Sequence, residues 1–121
     1  MFIDARSVDP DKVLETELCV VGGGAAGITL ARECINSAFR VILLESGGLK
    51  YDKETQLLAA GEVSGHDYYP LVTARLRLLG GSTNHWNGFC LPLDASNFTE
   101  REWVKDSGWP FDRSHLGACR T

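Results

Sequence analysis

Glu17-Leu18-Cys19-Val20-Val21-Gly22-Gly23-Gly24-Ala25-Ala26-Gly27 is the stretch on which the fold class turns. Glu17 to Val21 is a short, valine-rich apolar run of strand length, and three consecutive glycines break it. From Ala25 to Ser37, Ile28, Leu30, Ala31 and Ile35 recur at helical spacing, which predicts a helix. Arg40 to Glu45 is a second apolar run of strand length, closed by Ser46-Gly47-Gly48. Strand, helix and strand in this order predict a parallel pair with a right-handed crossover. Continuous rather than alternating apolar runs predict a sheet covered by helices on both faces, as in doubly wound α/β folds. The expected class is therefore α/β, with a Rossmann-like βαβ unit.

The glycines have separable tasks. In Gly22-x-Gly24-x-x-Gly27, Gly22 permits the tight turn and Gly24 removes the side chain that would hold a pyrophosphate away from the backbone. Gly27 lets the helix lie close to the strand. The diphosphate is then expected on free N–H groups at the positive end of the helix dipole. Glu45 follows Gly27 by 18 residues, near the spacing of about 20 at which an acid accepts hydrogen bonds from an adenosine ribose. A carboxylate there repels a 2'-phosphate, so NADP is disfavoured. FAD and NAD sites share this fingerprint, and a glycine-rich helix entry with no ligand is the bland alternative.

The 121 residues, net charge of -4 and 44% hydrophobic content describe one ordinary globular unit. Lys and Arg are scattered singly, so no basic face is expected for nucleic acid. No apolar run approaches the roughly 20 residues of a membrane-spanning helix. The start, Met1-Phe2-Ile3-Asp4, lacks the pattern of a secretory leader, and a cytoplasmic location is expected. Cys19, Cys34, Cys90 and Cys119 contain no CxxC pair. Cys19 and Cys34 are expected to pack as small apolar residues rather than to form disulfides. His66 and His115 are expected on the surface, and no metal-ligand spacing is present.

Residues 1–16 are polar and read as a lead-in. Beyond residue 50 the pattern weakens into an irregular extension. A short helix is expected over Glu54 to Ala60, turns over Gly61 to Pro70, and a glycine, serine and asparagine cluster at Gly80 to Gly88. Thr99 and Glu102 have the spacing of a capping box that would open a helix through Trp103, and Asp112 is expected to cap another.

Arg75-Leu76-Arg77-Leu78-Leu79-Gly80-Gly81-Ser82-Thr83-Asn84-His85-Trp86 carries a more specific signal. Here the chain resembles the glucose-methanol-choline (GMC) oxidoreductases. That family has a VVGGGxAG-like fingerprint, a second strand ending in an acid, a small residue and two glycines, and a later Leu-Gly-Gly-Ser-(Ser/Thr) segment. Val20 to Gly27, Glu45 to Gly48 and Leu79 to Thr83 match these in the family's order, and Ser107 to Phe111 extends the likeness. The resemblance covers residues 17–116. It implies FAD as cofactor, with Gly22, Gly24, Ala26, Gly27, Glu45, Ser46, Arg77, Gly80, Gly81, Ser82, Asn84, His85 and Trp86 forming the site. It leaves open whether Arg75 and Arg77 meet the pyrophosphate or lie as solvated charges.

The His85-Trp86 pair is similar to that of the sugar-oxidising branch, which includes pyranose 2-oxidase and the large subunits of fructose and gluconate dehydrogenases. In pyranose 2-oxidase the histidine of that pair is bonded covalently to the flavin 8-methyl carbon. That position falls on His85, whose alternative is to pack as a neutral ring beside the flavin. The reaction implied is oxidation of a CH–OH group in an alcohol or sugar, with hydride passing to the flavin. The family's catalytic histidine, paired with another His or an Asn, lies far beyond residue 121, so the chain is expected to be an incomplete domain with no catalytic residue, inactive alone. Gly117 to Thr121 departs from the acidic, tyrosine-rich helix of the family and is expected to be foreign or truncated sequence. An NAD-binding dehydrogenase domain and a non-catalytic nucleotide-binding remnant are the competing expectations.

Overall fold

The computed structural model describes residues 1–119, which fall into two compact units, Met1–Asn87 and a second that begins at Gly88. In the first unit, strand β1 (Leu18–Val21) lies parallel to β2 (Val41–Leu44), with Leu18 opposite Val41 and Val21 opposite Leu44. Parallel strands need a crossover, and helix α1 (Ala25–Glu33) supplies it. The pairing runs past both ends of the strands. Leu18 N donates to Arg40 O at 3.3 Å, and Gly22 N donates to Leu44 O at 2.7 Å. At the entry end, the Glu17 carboxylate accepts from Arg40 N at 2.9 Å and from the Arg40 guanidinium at 3.0 Å, while the Thr16 hydroxyl also reaches Arg40 O.

Val20 faces α1 and is buried, and a Cβ on Gly27 would lie only 3.3 Å from its Cγ1. The sheet is covered on that face alone. Val21 on the other face is 82% exposed and Leu44 is exposed too, so the expectation of helices on both faces does not hold among the described residues. Cys19 shares that open face and is exposed, not packed as expected. Cys34 is half-buried, and it lines an open apolar groove with Ala31, Ile35, Phe39, Val41 and Leu43. Cys19, Cys34 and Cys90 are free thiols.

Helix α1 stops at Glu33, short of the expected Ser37. Ser37 donates from its backbone N to Cys34 O at 3.1 Å and from its hydroxyl to the same carbonyl at 2.8 Å, and its Oγ accepts from Phe39 N. A serine that satisfies local backbone groups in this way competes with helix continuation. Helix α2 (Lys53–Leu57) opens where Asp52 accepts from Thr55 N at 2.8 Å. Helix α3 (Leu71–Ala74) follows an irregular stretch, and residues 81–85 form a 3-10 turn. Val20, Gly23, Leu78 and the carboxamide of Gln56 are the buried groups of this unit's interior.

In the second unit, helix α4 (Ala95–Phe98) is capped reciprocally by Asp94 and Asn97, with Asn97 Oδ1 accepting from Asp94 N at 2.7 Å. Thr99 is the residue that ends α4, so the helix expected to open at Thr99 is absent and residues 101–104 form a turn. The Thr99 hydroxyl turns back onto α4, donating to Ala95 O at 3.4 Å. Asp112 does cap the 3-10 helix over Arg113–Cys119, accepting from Ser114 N at 2.7 Å. Phe98 is buried, with ring centroids 5.9 Å from Phe111. The expectation for residues 117–121 runs outside the described residues. No helix among the described residues is long and apolar enough to cross a membrane.

Two expected outcomes follow from this packing. A Cβ on Gly27 would stand 1.9 Å from Gly22 O, and one on Gly47 2.0 Å from Arg77 O, whereas one on Gly24 meets nothing within 4 Å. Gly27→Ala and Gly47→Ala should each destabilise the chain by about 1–3 kcal/mol, and Gly24→Ala should leave urea denaturation near that of the native sequence. At the sheet entry, the Arg40 side chain, then its backbone N–H, holds the Glu17 carboxyl at about 2 instead of 4.5. A depressed folded value means that the Glu17 contribution is present above pH 4.5 and is lost as pH falls toward 2. A carboxyl NMR titration should place the Glu17 midpoint near 2, and Arg40→Ala should return it to the ordinary range.

Candidate functional site

The site begins where β1 ends. Gly22 adopts φ +103°, a left-handed conformation that side-chain-bearing residues rarely take, and turns the chain toward α1. Gly24 is the N-cap of α1 and offers no side chain to the first turn, which also contains no acidic residue. The first N–H groups of any α-helix have no acceptor within the helix. At Ala25, Ala26 and Gly27 these donors and the positive end of the helix dipole therefore face a space that the glycines leave open. Gly27 holds α1 against the turn, because its missing Cβ lies where Gly22 O sits.

Glu45, immediately after β2, points its carboxylate into this turn. Its Oε2 accepts from Gly23 N at 2.7 Å. Its Oε1 accepts from Gly47 N at 2.8 Å and from the Ser46 hydroxyl at 3.2 Å. One carboxylate thus joins the glycine turn of β1 to that of β2, and each oxygen is held by N–H groups that fix its direction. The acid predicted from spacing and the fingerprint glycines are brought together.

A third glycine segment closes over the other two. Leu79 N donates to Gly48 O at 3.0 Å, and Gly80 N donates to Gly23 O at 2.7 Å. Gly80 and Gly81 have φ +92° and +56°, and a Cβ on Gly81 would lie 3.3 Å from Gly24 Cα. Only glycine at these positions allows backbone to approach backbone this closely while turning left-handed. Asn84 stabilises the turn through its side-chain amide, which donates to Leu79 O at 3.1 Å and to Gly81 O at 2.9 Å. Ser82 Oγ accepts from Leu76 N at 3.2 Å. Ser82 and Asn84 thus shape the loop. His85 and Trp86, at its far end, are exposed.

Arg77 is placed differently from the glycines. Its guanidinium reaches back to Leu58 O, at the C-terminal end of α2, at 3.5 Å, and its Nε is buried without a partner. Arg75 is exposed. His66 is exposed as expected, and His115, also exposed, contacts Asp112 Oδ1 at 3.2 Å in the second unit. No group of three or more potential metal ligands occurs among the described residues.

Sequence reasoning missed Gln56 and the contribution of Gly23 and Gly47 to the contact between segments. Gly23 is buried beneath Glu45 and Leu79, since a Cβ there would lie 3.0 Å from Glu45 Oε2 and 3.1 Å from Leu79 Cδ1. The fingerprint treats that position as free. Gly47 was visible in the sequence, but its tight approach to Arg77 O depends on a pairing 30 residues away.

No family model matches the chain, and no solved structure matches it. Over 125 aligned residues it is 30% identical to a protein of Acanthamoeba polyphaga mimivirus named as a GMC-type oxidoreductase. The alignment takes in 89% of this chain and 21% of that protein. The chain therefore spans about a fifth of the length of the relative it matches, and its likeness is to an oxidoreductase of GMC type.

Proposed function

We propose that residues 17–116 are the FAD-binding part of a flavin-dependent oxidoreductase that acts on CH–OH groups of alcohols or sugars. The observation that carries the reading is the Glu45 carboxylate, held 2.7 Å from Gly23 N beside a helix start whose N-cap, Gly24, supplies no side-chain acceptor. A diphosphate needs donors and an open approach, and a ribose needs an acceptor at a fixed distance from them. The donor set and the open space at Gly24 fit that requirement. The likeness to a GMC-type oxidoreductase favours FAD over NAD.

In this reading the amides of Ala25, Ala26 and Gly27 receive the diphosphate, and Gly22 and Gly24 let it come close. Glu45 Oε2 uses one lone pair for Gly23 N and keeps another for a ribose hydroxyl. Oε1 is shared between Gly47 N and the Ser46 hydroxyl, and the hydroxyl can rotate away to admit the second ribose oxygen. Gly80 and Gly81, held by Ser82 and Asn84, run beside the flavin. Arg77 supports that segment from the α2 side. His85 and Trp86 lie at the end toward the dimethylbenzene ring, where His85 is the candidate for a covalent link. FAD, when bound, supplies the hydride acceptor for CH–OH oxidation. The residues of this chain bind and orient it, and none is assigned to proton removal.

Thermal melting tests the proposal. FAD at 100 times its dissociation constant should add about 2.7 kcal/mol to stability, and Gly24→Val should abolish that gain without unfolding the free chain. A melting point unmoved by FAD would contradict the proposal, as would an equal gain in the valine variant. A gain with NAD alone would point to a nicotinamide dehydrogenase instead.

A further inference from the structure

Gln56 is 3% exposed and is the buried polar side chain of the described residues. Its carboxamide is committed at both ends. Nε2 donates to Val72 O at 2.8 Å and to Arg75 O at 2.7 Å, and Oε1 accepts from Arg77 N at 3.0 Å. Both amide hydrogens are therefore used, on two carbonyls at the C-terminal end of α3. Those carbonyls have no helical partner of their own. The oxygen holds the amide that follows them.

This side chain fixes the backbone from Val72 to Arg77, and the residues immediately after it make the contacts that define the site. Arg77 O abuts Gly47, Leu79 N bonds Gly48 O, and Gly80 N bonds Gly23 O. A second tie, from the Arg77 guanidinium to Leu58 O, joins the same segment to the same helix. No other side chain supplies two donors and an acceptor at this reach while remaining neutral. Glutamate would set oxygen against the Val72 and Arg75 carbonyls, and methionine would leave all three backbone groups unpaired and buried, an unfavourable state.

We infer that Gln56 is a positioning residue: through Val72, Arg75 and Arg77 it sets where the third glycine segment lies against the other two, and so how the diphosphate cradle is spaced. The inference rests on the dinucleotide reading of that cradle. Gln56 touches neither the glycine turns nor the proposed cofactor, and it acts only through the segment that it holds.

The test compares the full chain with Gln56→Met and Gln56→Glu. Amide hydrogen exchange is measured without ligand, and FAD affinity by flavin fluorescence at a temperature where the free proteins are folded. Exchange protection at Leu79 and Gly80 should fall by about tenfold or more in Gln56→Met, while the amides of β1 and β2 keep theirs. FAD binding should weaken by about tenfold. Gln56→Glu should show the same local loss, because its acceptor survives and its donors do not. Unchanged protection at Leu79 and Gly80, or collapse of the β1 and β2 amides in both variants, would overturn the inference. So would FAD bound equally by native chain and Gln56→Met. A native chain that takes up no FAD would remove the cofactor reading alone, because the exchange result is obtained without ligand.

Discussion

The arrangement depends on one carboxylate. Glu45 bonds Gly23 N with one oxygen and Gly47 N with the other, and so fastens the turn after β1 to the turn after β2. The two short parallel strands are tied at their entry end by Glu17 and Arg40, and beyond the Gly22 N to Leu44 O bond their exit end is tied by the Glu45 carboxylate. Each has four residues, and the sheet has no third strand among the described residues. The bond to Gly23 also explains why that glycine is buried although the fingerprint gives it no task. Its amide must reach the carboxylate, and a side chain there would collide with Glu45 and Leu79. Replacing Glu45 by an apolar residue would leave both amides without an acceptor, so in the proposed reading one residue carries both the register of the turns and the recognition of the ribose.

From that point the site is built of backbone rather than of side chains. Gly80 N on Gly23 O and Leu79 N on Gly48 O bring three segments into contact that are distant in sequence. Backbone contacts of this kind require glycine for closeness, and they leave donors and carbonyls to define the cradle. The arrangement suits a ligand recognised by its phosphates and sugar, whose polar atoms are satisfied by N–H groups and one acid. It also explains the small interior. Val20 and Leu78 are the buried apolar side chains of the first unit, while Val21 and Leu44 leave one sheet face open.

Local chemistry made the β1, glycine turn, α1 and β2 sequence readable. Val20 and Val21 before three glycines, then Ile28 and Ala31 at helical spacing, agree on one answer. Glu45 was found by distance from Gly27, and Gly80-Gly81 by likeness to a known segment. What escaped the sequence depends on partners far along the chain. Gln56 sits in a short helix as an unremarkable polar residue, and only its contacts at Val72, Arg75 and Arg77 give it a role. Arg77 carried a charge suited to a phosphate, yet its guanidinium turns to the end of α2. The open sheet face was misread for a related reason, because an apolar run reports what a strand is fit to bury and not what covers it. Thr99 was misassigned because its hydroxyl serves the end of α4, donating back to Ala95 O, rather than the start of a following helix.

The central claim is that the start of α1 and the Glu45 carboxylate together receive an adenosine diphosphate group. Amide NMR during titration of the chain with FAD reads this residue by residue. The account predicts saturable shifts at Gly23, Ala25, Ala26 and Gly27, with a matching shift of the Glu45 side-chain carbon. Shifts confined to other residues, or none at saturating FAD, would contradict it.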